Sequence, residues 1–151
     1  LGAIRAGVVP VPLNTLLTAE QYAYILGDCR ARVLFVSEAL LPVVKDIVAR
    51  MPDLAHVVVS GKDAHGHAKL SDEIARESDV FATAPTHADE PAFWLYSSGS
   101  TGMPKGVPQS PMWFWRITVW PSISRVRARA SPTTVVRRCP TCISLATLGA
   151  E

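Results

Sequence analysis

The sequence predicts an α/β layered fold, and three observations predict it. Short apolar, β-branched runs alternate with stretches of helical periodicity between residues 7 and 77, the pattern expected of strands covered by helices. The apolar run "AFWLY" (Ala92 to Tyr96) leads directly into a glycine- and hydroxyl-rich segment, "YSSGSTGMPKGV" (Tyr96 to Val107). After Val107 the periodicity stops and the composition changes. An ordered domain is therefore expected over residues 1–107 and an irregular tail over residues 108–151.

The elements follow in order. "GVVPVPL" (Gly7 to Leu13) is β-branched, but Pro10 and Pro12 cannot donate ladder hydrogen bonds, so it is an edge strand or an extended segment. Thr18 opens a helix, and Gln21 three residues later completes a T-x-x-Q capping box. Tyr22, Ile25 and Leu26 share one face of that helix, which Gly27 and Asp28 end. "RVLFV" (Arg32 to Val36) is a buried strand. Ser37 is expected to cap the next helix, where Leu40, Leu41, Val44, Ile47, Val48 and Met51 recur at helical spacing. "HVVVS" (His56 to Ser60) is another strand and "GKDAHGHAK" a polar loop. Ser71 is expected to start a short helix reaching about Glu77, with Asp72, Glu73 and Glu77 forming an acidic start and face. After the linker "TAPTHADEP", "AFWLY" suits a central strand in which Trp94 packs.

Composition narrows the function classes. A content of 48% hydrophobic and 19% charged residues is globular. No apolar run approaches the roughly 18 residues of a membrane span, so no membrane partner is expected. The opening "LGAIRAGVVPVPLN" has no Met and no signal-peptide layout, and reads as cut at its front. Cys29, Cys139 and Cys142 are too few for a disulfide framework and point to a reducing, cytoplasmic setting. Cys29 is expected to be a small buried residue near a helix end. The sequence leaves the oligomeric state open.

The net charge of +2 conceals an asymmetry. Residues 1–107 carry nine Lys/Arg against twelve Asp/Glu, a net of −3, whereas residues 108–151 carry six Arg against Glu151, a net of +5. Five prolines punctuate this tail, three tryptophans crowd its start, and only "ITVW" suggests a short strand. Arginine with tryptophan can hold nucleic acid by phosphate contact and base stacking. No recognised module accompanies them here, so no nucleic-acid partner is expected. Cys139-Pro-Thr-Cys142 is a single C-x-x-C with no histidine after position 87, and His65-Gly-His67 lies in a polar loop. No metal site is expected from either.

The chemistry lies in the Gly-rich segment. A phosphate-binding loop needs glycines that turn backbone N–H groups toward the ligand, small hydroxyl donors, and a cation. Gly99, Gly102 and Gly106 supply the first, Ser97, Ser98, Ser100 and Thr101 the second, and Lys105 the third. The spacing is not G-x-x-x-x-G-K-[ST], and Pro104 disfavours helix at Met103, so strand–loop–strand is the expected form. Composition alone leaves a simple Gly/Ser-rich hairpin equally open.

"YSSGSTGMPKGV" resembles the signature loop of the adenylate-forming enzymes, which has the form aromatic-[ST]-S-G-[ST]-T-G-x-P-K-G. It matches at every defined place. "GAIRAGVVPVPLNTLLTAEQYAYILGDCRARVLFV" resembles the segment these enzymes carry before that loop, and with "DEPAFWLYSSGSTGMPKGV" it is most similar to benzoate-type aryl–CoA ligases. The resemblance covers about residues 2–107 and implies part of a large N-terminal α/β domain. It implies two half-reactions: a carboxylate attacks the α-phosphate of Mg2+-bound ATP to give an acyl-adenylate, and coenzyme A then displaces AMP to give a thioester. It also implies that Ser98, Gly99, Ser100, Thr101 and Gly102 cradle the β- and γ-phosphates. Lys105 would neutralise the departing pyrophosphate, and Ser97 and Gly106 would shape the loop. The implied substrate is an aryl or acyl carboxylate, benzoate or hydroxybenzoate in the intact enzyme.

The family's later motifs do not occur in residues 108–151, so no catalytic residue and no metal ligand is assigned, and this chain is expected to be inactive alone. A tail of Arg, Pro, Ser, Thr, Trp and Cys without Lys is expected from a shifted reading frame in a GC-rich gene. The alternatives are another branch of the superfamily, such as a fatty-acyl–CoA ligase or an adenylation domain, and a non-catalytic phosphate-binding remnant with a basic tail.

Overall fold

The computed structural model describes residues 2–98, 103–110 and 144–148. In chain order the elements are α1 (Gly2–Arg5), β1 (Val9–Leu13), α2 (Ala19–Asp28), β2 (Val33–Ser37), α3 (Leu41–Val48), β3 (His56–Ser60), β4 (Ala68–Lys69), α4 (Leu70–Arg76), β5 (Phe93–Ser98), β6 (Pro104–Gln109) and β7 (Ser144–Leu148). Five strands form one sheet in the order β1-β7-β2-β3-β4, and β5 and β6 form a separate pair. Every pairing in the larger sheet is parallel, which requires crossovers such as α2 and α3.

β1 lies at the edge, as its prolines require. Two prolines two residues apart lack N–H groups on the same side of a strand, and an edge alone tolerates that. The intervening Val9, Val11 and Leu13 are buried.

α2 begins with the capping box. The Thr18 N–H donates to Gln21 Oε1 at 3.0 Å, and the Gln21 N–H donates to Thr18 Oγ1 at 3.3 Å. Tyr22, Ile25 and Leu26 are its buried face. They join Val11, Leu34, Val36, Val44, Ile47 and Val59 in one core, so α2 and α3 cover the same side of the sheet. Tyr22 is 0% exposed, and its hydroxyl donates to the Asn14 carbonyl at 2.8 Å, which avoids the cost of burying that group unpaired. Phe35 and Val58 alternate with the core residues of their strands. They turn to the opposite face and line an open groove of about 500 Å³ with Leu70 and Ile74 of α4.

Three local expectations are corrected. Ser37 does not cap a helix: it ends β2, and α3 starts at Leu41 behind Leu40, with Pro42 in its first turn. The reason lies in Glu38, whose Oε2 accepts the Lys62 and Asp63 N–H groups at 2.7 and 3.3 Å. That pins the intervening turn to the loop after β3, and Pro42 loses nothing at a position where N–H groups are free anyway. Ser71 likewise lies inside α4, behind Lys69 as N-cap. β4 pairs with β3 and delivers the chain into that helix one residue earlier. β5 is not a central strand of the sheet. Its partner is the strand that returns from its own loop, and the two form a hairpin lying against β1.

One strand lies beyond the hairpin: residues 111–143, with "ITVW", Cys139 and Cys142, lie outside the described residues, and β7 follows them. It fills a gap one strand wide, pairing in parallel with β1 from Val9↔Ser144 to Leu13↔Leu148 and with β2 from Val33↔Leu145 to Val36↔Leu148. Both neighbours present backbone groups that must be paired, so a short run with little side-chain pattern is recruited by the vacancy.

Two outcomes test this account. Thr18→Ala removes half of the capping box and is expected to cost about 1 kcal/mol in urea unfolding. Ending the chain at Ile143 removes β7. Amide hydrogen exchange in β1 and β2 should then speed up far more than in β3, which keeps both its partners.

Candidate functional site

The Gly-rich loop springs from the β5–β6 hairpin. Cross-strand partners are Leu95↔Val107, Tyr96↔Gly106, Ser97↔Lys105 and Ser98↔Pro104. The chain therefore leaves the ladder at Ser98 and re-enters it at Pro104, the strand–loop–strand form expected of the motif. Pro104 takes the first position of its strand, where a missing N–H is tolerated. Gly99, Ser100, Thr101 and Gly102 lie outside the described residues.

The alternation of side chains divides the remaining motif residues between two faces. Ser97 and Lys105 stand opposite each other on the outer face and are exposed. Leu95 and Val107 share that face and are 44% and 46% exposed. Lys105 makes no ion pair with any described residue, so its charge is open to an anion arriving at the loop. Gly106 belongs to the inner face. A Cβ there would fall 2.7 Å from Cζ of Tyr96 and 2.9 Å from its hydroxyl, so the ring occupies the space of the missing side chain.

Tyr96 packs against the core, and its hydroxyl donates to Asp28 Oδ2 at 2.7 Å. Burial, then this bond to the carboxylate, holds the phenol well above the ordinary tyrosine range. Beside it a cleft of about 220 Å³ opens between the end of β1 and the hairpin root, lined by Asn14, Leu17, Ile25, Tyr96, Ser97 and Pro104. Trp94 packs against the same core, as expected, and its buried Nε1 meets no acceptor among the described residues.

The sequence reading uses Asp28 only as a helix end, and its partner is 68 residues away. One signal was available. A carboxylate in the last turn of a helix opposes the helix dipole, so its presence there calls for a tertiary partner.

His65 sits 3.9 Å from Glu38 and 3.8 Å from Asp63 on the exposed loop after β3. Among the described residues no three His, Cys, Asp or Glu side chains come together to hold a metal. Cys29 is 4% exposed, as a small buried residue should be. No helix among the described residues is long and apolar enough to cross a membrane.

The described residues form a helix-flanked parallel sheet and a separate hairpin from which the Gly- and hydroxyl-rich segment springs. The family model described as AMP-binding enzyme matches residues 1–111, and the chain belongs to that family. It is 50% identical over 106 residues to the 4-hydroxybenzoate–CoA/benzoate–CoA ligase of Rhodopseudomonas palustris, covering 70% of this chain and 20% of that protein. The benzoate–CoA ligase of Thauera aromatica matches with the same identity and coverage. Among solved structures, the anthranilate CoA ligase AuaEII in complex with anthranoyl-AMP superposes with a TM-score of 0.69 at 38% identity, over 72% of this chain and 21% of that one. The chain thus spans about one fifth of the length of these relatives.

Cys29 provides a pH test. Burial pushes its thiol from 9.0 up to about 11. The unfolded chain ionises first, so this contribution to stability is complete below about pH 9 and lost as the pH rises through about 11. The loss should reach about 2–3 kcal/mol. Urea unfolding at pH 8 and pH 10.5 measures it against Cys29→Ala, whose stability should fall less over the same interval.

Proposed function

We propose that this chain carries the ATP phosphate-binding hairpin of an acid–CoA ligase whose substrate is an aryl carboxylate of the benzoate or hydroxybenzoate type. One observation carries the reading: a twelve-residue motif with every defined adenylate-forming position filled stands on a hairpin whose Lys105 is exposed and has no ion-pair partner among the described residues. The 50% identity to two benzoate-type ligases supports the aryl branch.

In this reading the substrate carboxylate attacks the α-phosphate of ATP, forming the acyl-adenylate and releasing pyrophosphate. The coenzyme A thiol then attacks the acyl carbon and AMP departs. The protein's task in the first step is positioning and charge stabilisation. Ser98, Gly99, Ser100, Thr101 and Gly102 hold the β- and γ-phosphates, Lys105 meets the charge that accumulates on pyrophosphate, and Ser97 and Gly106 shape the root. Magnesium accompanies ATP in such reactions. Among the described residues no three His, Cys, Asp or Glu side chains come together to hold it, and no step here is routed through the ion. The setting is cytoplasmic.

We also propose residues 1–107 as the family unit and residues 108–151 as a segment read in a shifted frame. The family match, which ends at residue 111, supports this boundary. Sequencing the coding DNA around codons 105–151 tests it: an alternative frame that restores ligase-like sequence is expected, and its absence from both frames refutes the shift.

The phosphate reading has its own test. The purified chain should bind magnesium pyrophosphate, and Lys105→Ala should weaken that binding about tenfold, the scale of losing one charge-assisted contact. It should form no benzoyl-CoA from ATP, benzoate and CoA. Equal binding by wild type and Lys105→Ala would sink the reading.

A further inference from the structure

The phosphate loop leaves the ladder at Ser98 and returns at Pro104, so its aim depends on how the hairpin root is held against the rest of the domain. Pairing between β5 and β6 holds these strands to each other, yet they form a sheet of their own. Something else must orient it.

Three residues meet at that place. Tyr96 lies two residues before the end of β5 and directly across from Gly106. Its hydroxyl donates to the carboxylate of Asp28, the last residue of α2. Its ring fills the space beside Gly106, where a Cβ would come within 3.0 Å of three ring and hydroxyl atoms. Gly106 has no positive φ, so glycine is required there for space and not for backbone conformation. With the hydroxyl tethered at its far end, the ring cannot swing aside without breaking the bond to Asp28.

We propose that Asp28, Tyr96 and Gly106 form a clamp that aims the phosphate-binding hairpin from the C-terminal turn of α2, with Asp28 and Tyr96 acting as positioning residues that do not touch the nucleotide. The proposal rests on the phosphate reading of the loop. A hydrogen bond from a phenol to a carboxylate is stronger than a neutral one, and the phenol stays protonated throughout the neutral range because burial and the carboxylate both oppose its ionisation. Donors that grip phosphate act best when their geometry is set beforehand. A small rotation at the root is amplified at the loop tip.

The test uses the 151-residue chain with Tyr96→Phe, Asp28→Asn and their double variant, each checked for an intact thermal transition. Without ligand, Tyr96→Phe should accelerate amide exchange in β5 and β6 about tenfold, the scale of one hydrogen bond to a charged group, while β2 and α3 stay unchanged. Magnesium pyrophosphate binding should weaken about three- to tenfold, and the double variant should be no worse than Tyr96→Phe, because the pair acts as a unit. In ultraviolet titration one tyrosine should ionise last, and Asp28→Asn should move that step to lower pH. Unchanged exchange in Tyr96→Phe overturns the clamp. Faster exchange with unchanged pyrophosphate binding overturns its positioning role. A wild-type chain that binds no pyrophosphate refutes the phosphate reading instead, and the exchange data still decide the clamp. Asp28→Asn keeps the ring in place and decides the question if Tyr96→Phe does not fold.

Discussion

Tyr22, Ile25 and Leu26 are withdrawn from water on one face of α2, and the rest of the structure is organised around keeping them so. Burying side chains such as Ile25 and Leu26 contributes about 1.5–3 kcal/mol each, provided a partner surface exists. That surface consists of Val11 of β1, Leu34 and Val36 of β2, and Val44 and Ile47 of α3. One helix therefore sets the spacing of two strands that do not touch each other. Its ends are tied as well, by the Thr18 capping box at the front and by the Asp28–Tyr96 bond at the back. The same helix that closes the core thus reaches the root of the loop.

The spacing has a consequence for the sheet. With α2 crossing between β1 and β2, a gap one strand wide remains, and backbone groups line both of its sides. β7 occupies it with parallel partners on each edge. The segment lies beyond the family-matched residues. On the far side of the sheet, Phe35, Val58 and Ile74 border an open groove, and Ile74 is 64% exposed. A domain that is one fifth of its relatives' length has apolar faces to spare.

The functional motif divides according to the same logic. Ser97 and Lys105 project from one face of the hairpin, while on the other Tyr96 packs against the core with its ring beside the exposed Gly106. Residues adjacent in sequence thus face opposite ways: Ser97 and Lys105 are exposed, where the proposed anion would arrive, and Tyr96 ties the hairpin to α2. The two-residue period of a strand makes this division unavoidable.

Much was legible in the sequence because it is encoded locally. The capping box at Thr18 and Gln21, the helical spacing of Tyr22, Ile25 and Leu26, the strand "HVVVS", the edge position imposed by Pro10 and Pro12, and the strand–loop–strand form of the phosphate motif all depend on neighbours a few residues apart. Ser37 and Ser71 misled for the complementary reason: each is a good cap in isolation, but Glu38 is engaged by the loop after β3, and β4 takes the chain into α4 too early. The separate hairpin, the recruitment of Ser144–Leu148 between β1 and β2, and the meeting of Asp28 with Tyr96 were decided by tertiary structure alone. Each depends on groups brought together from 68 or more residues away or on a vacancy that exists only once other strands are in place. Local propensity carries no record of either.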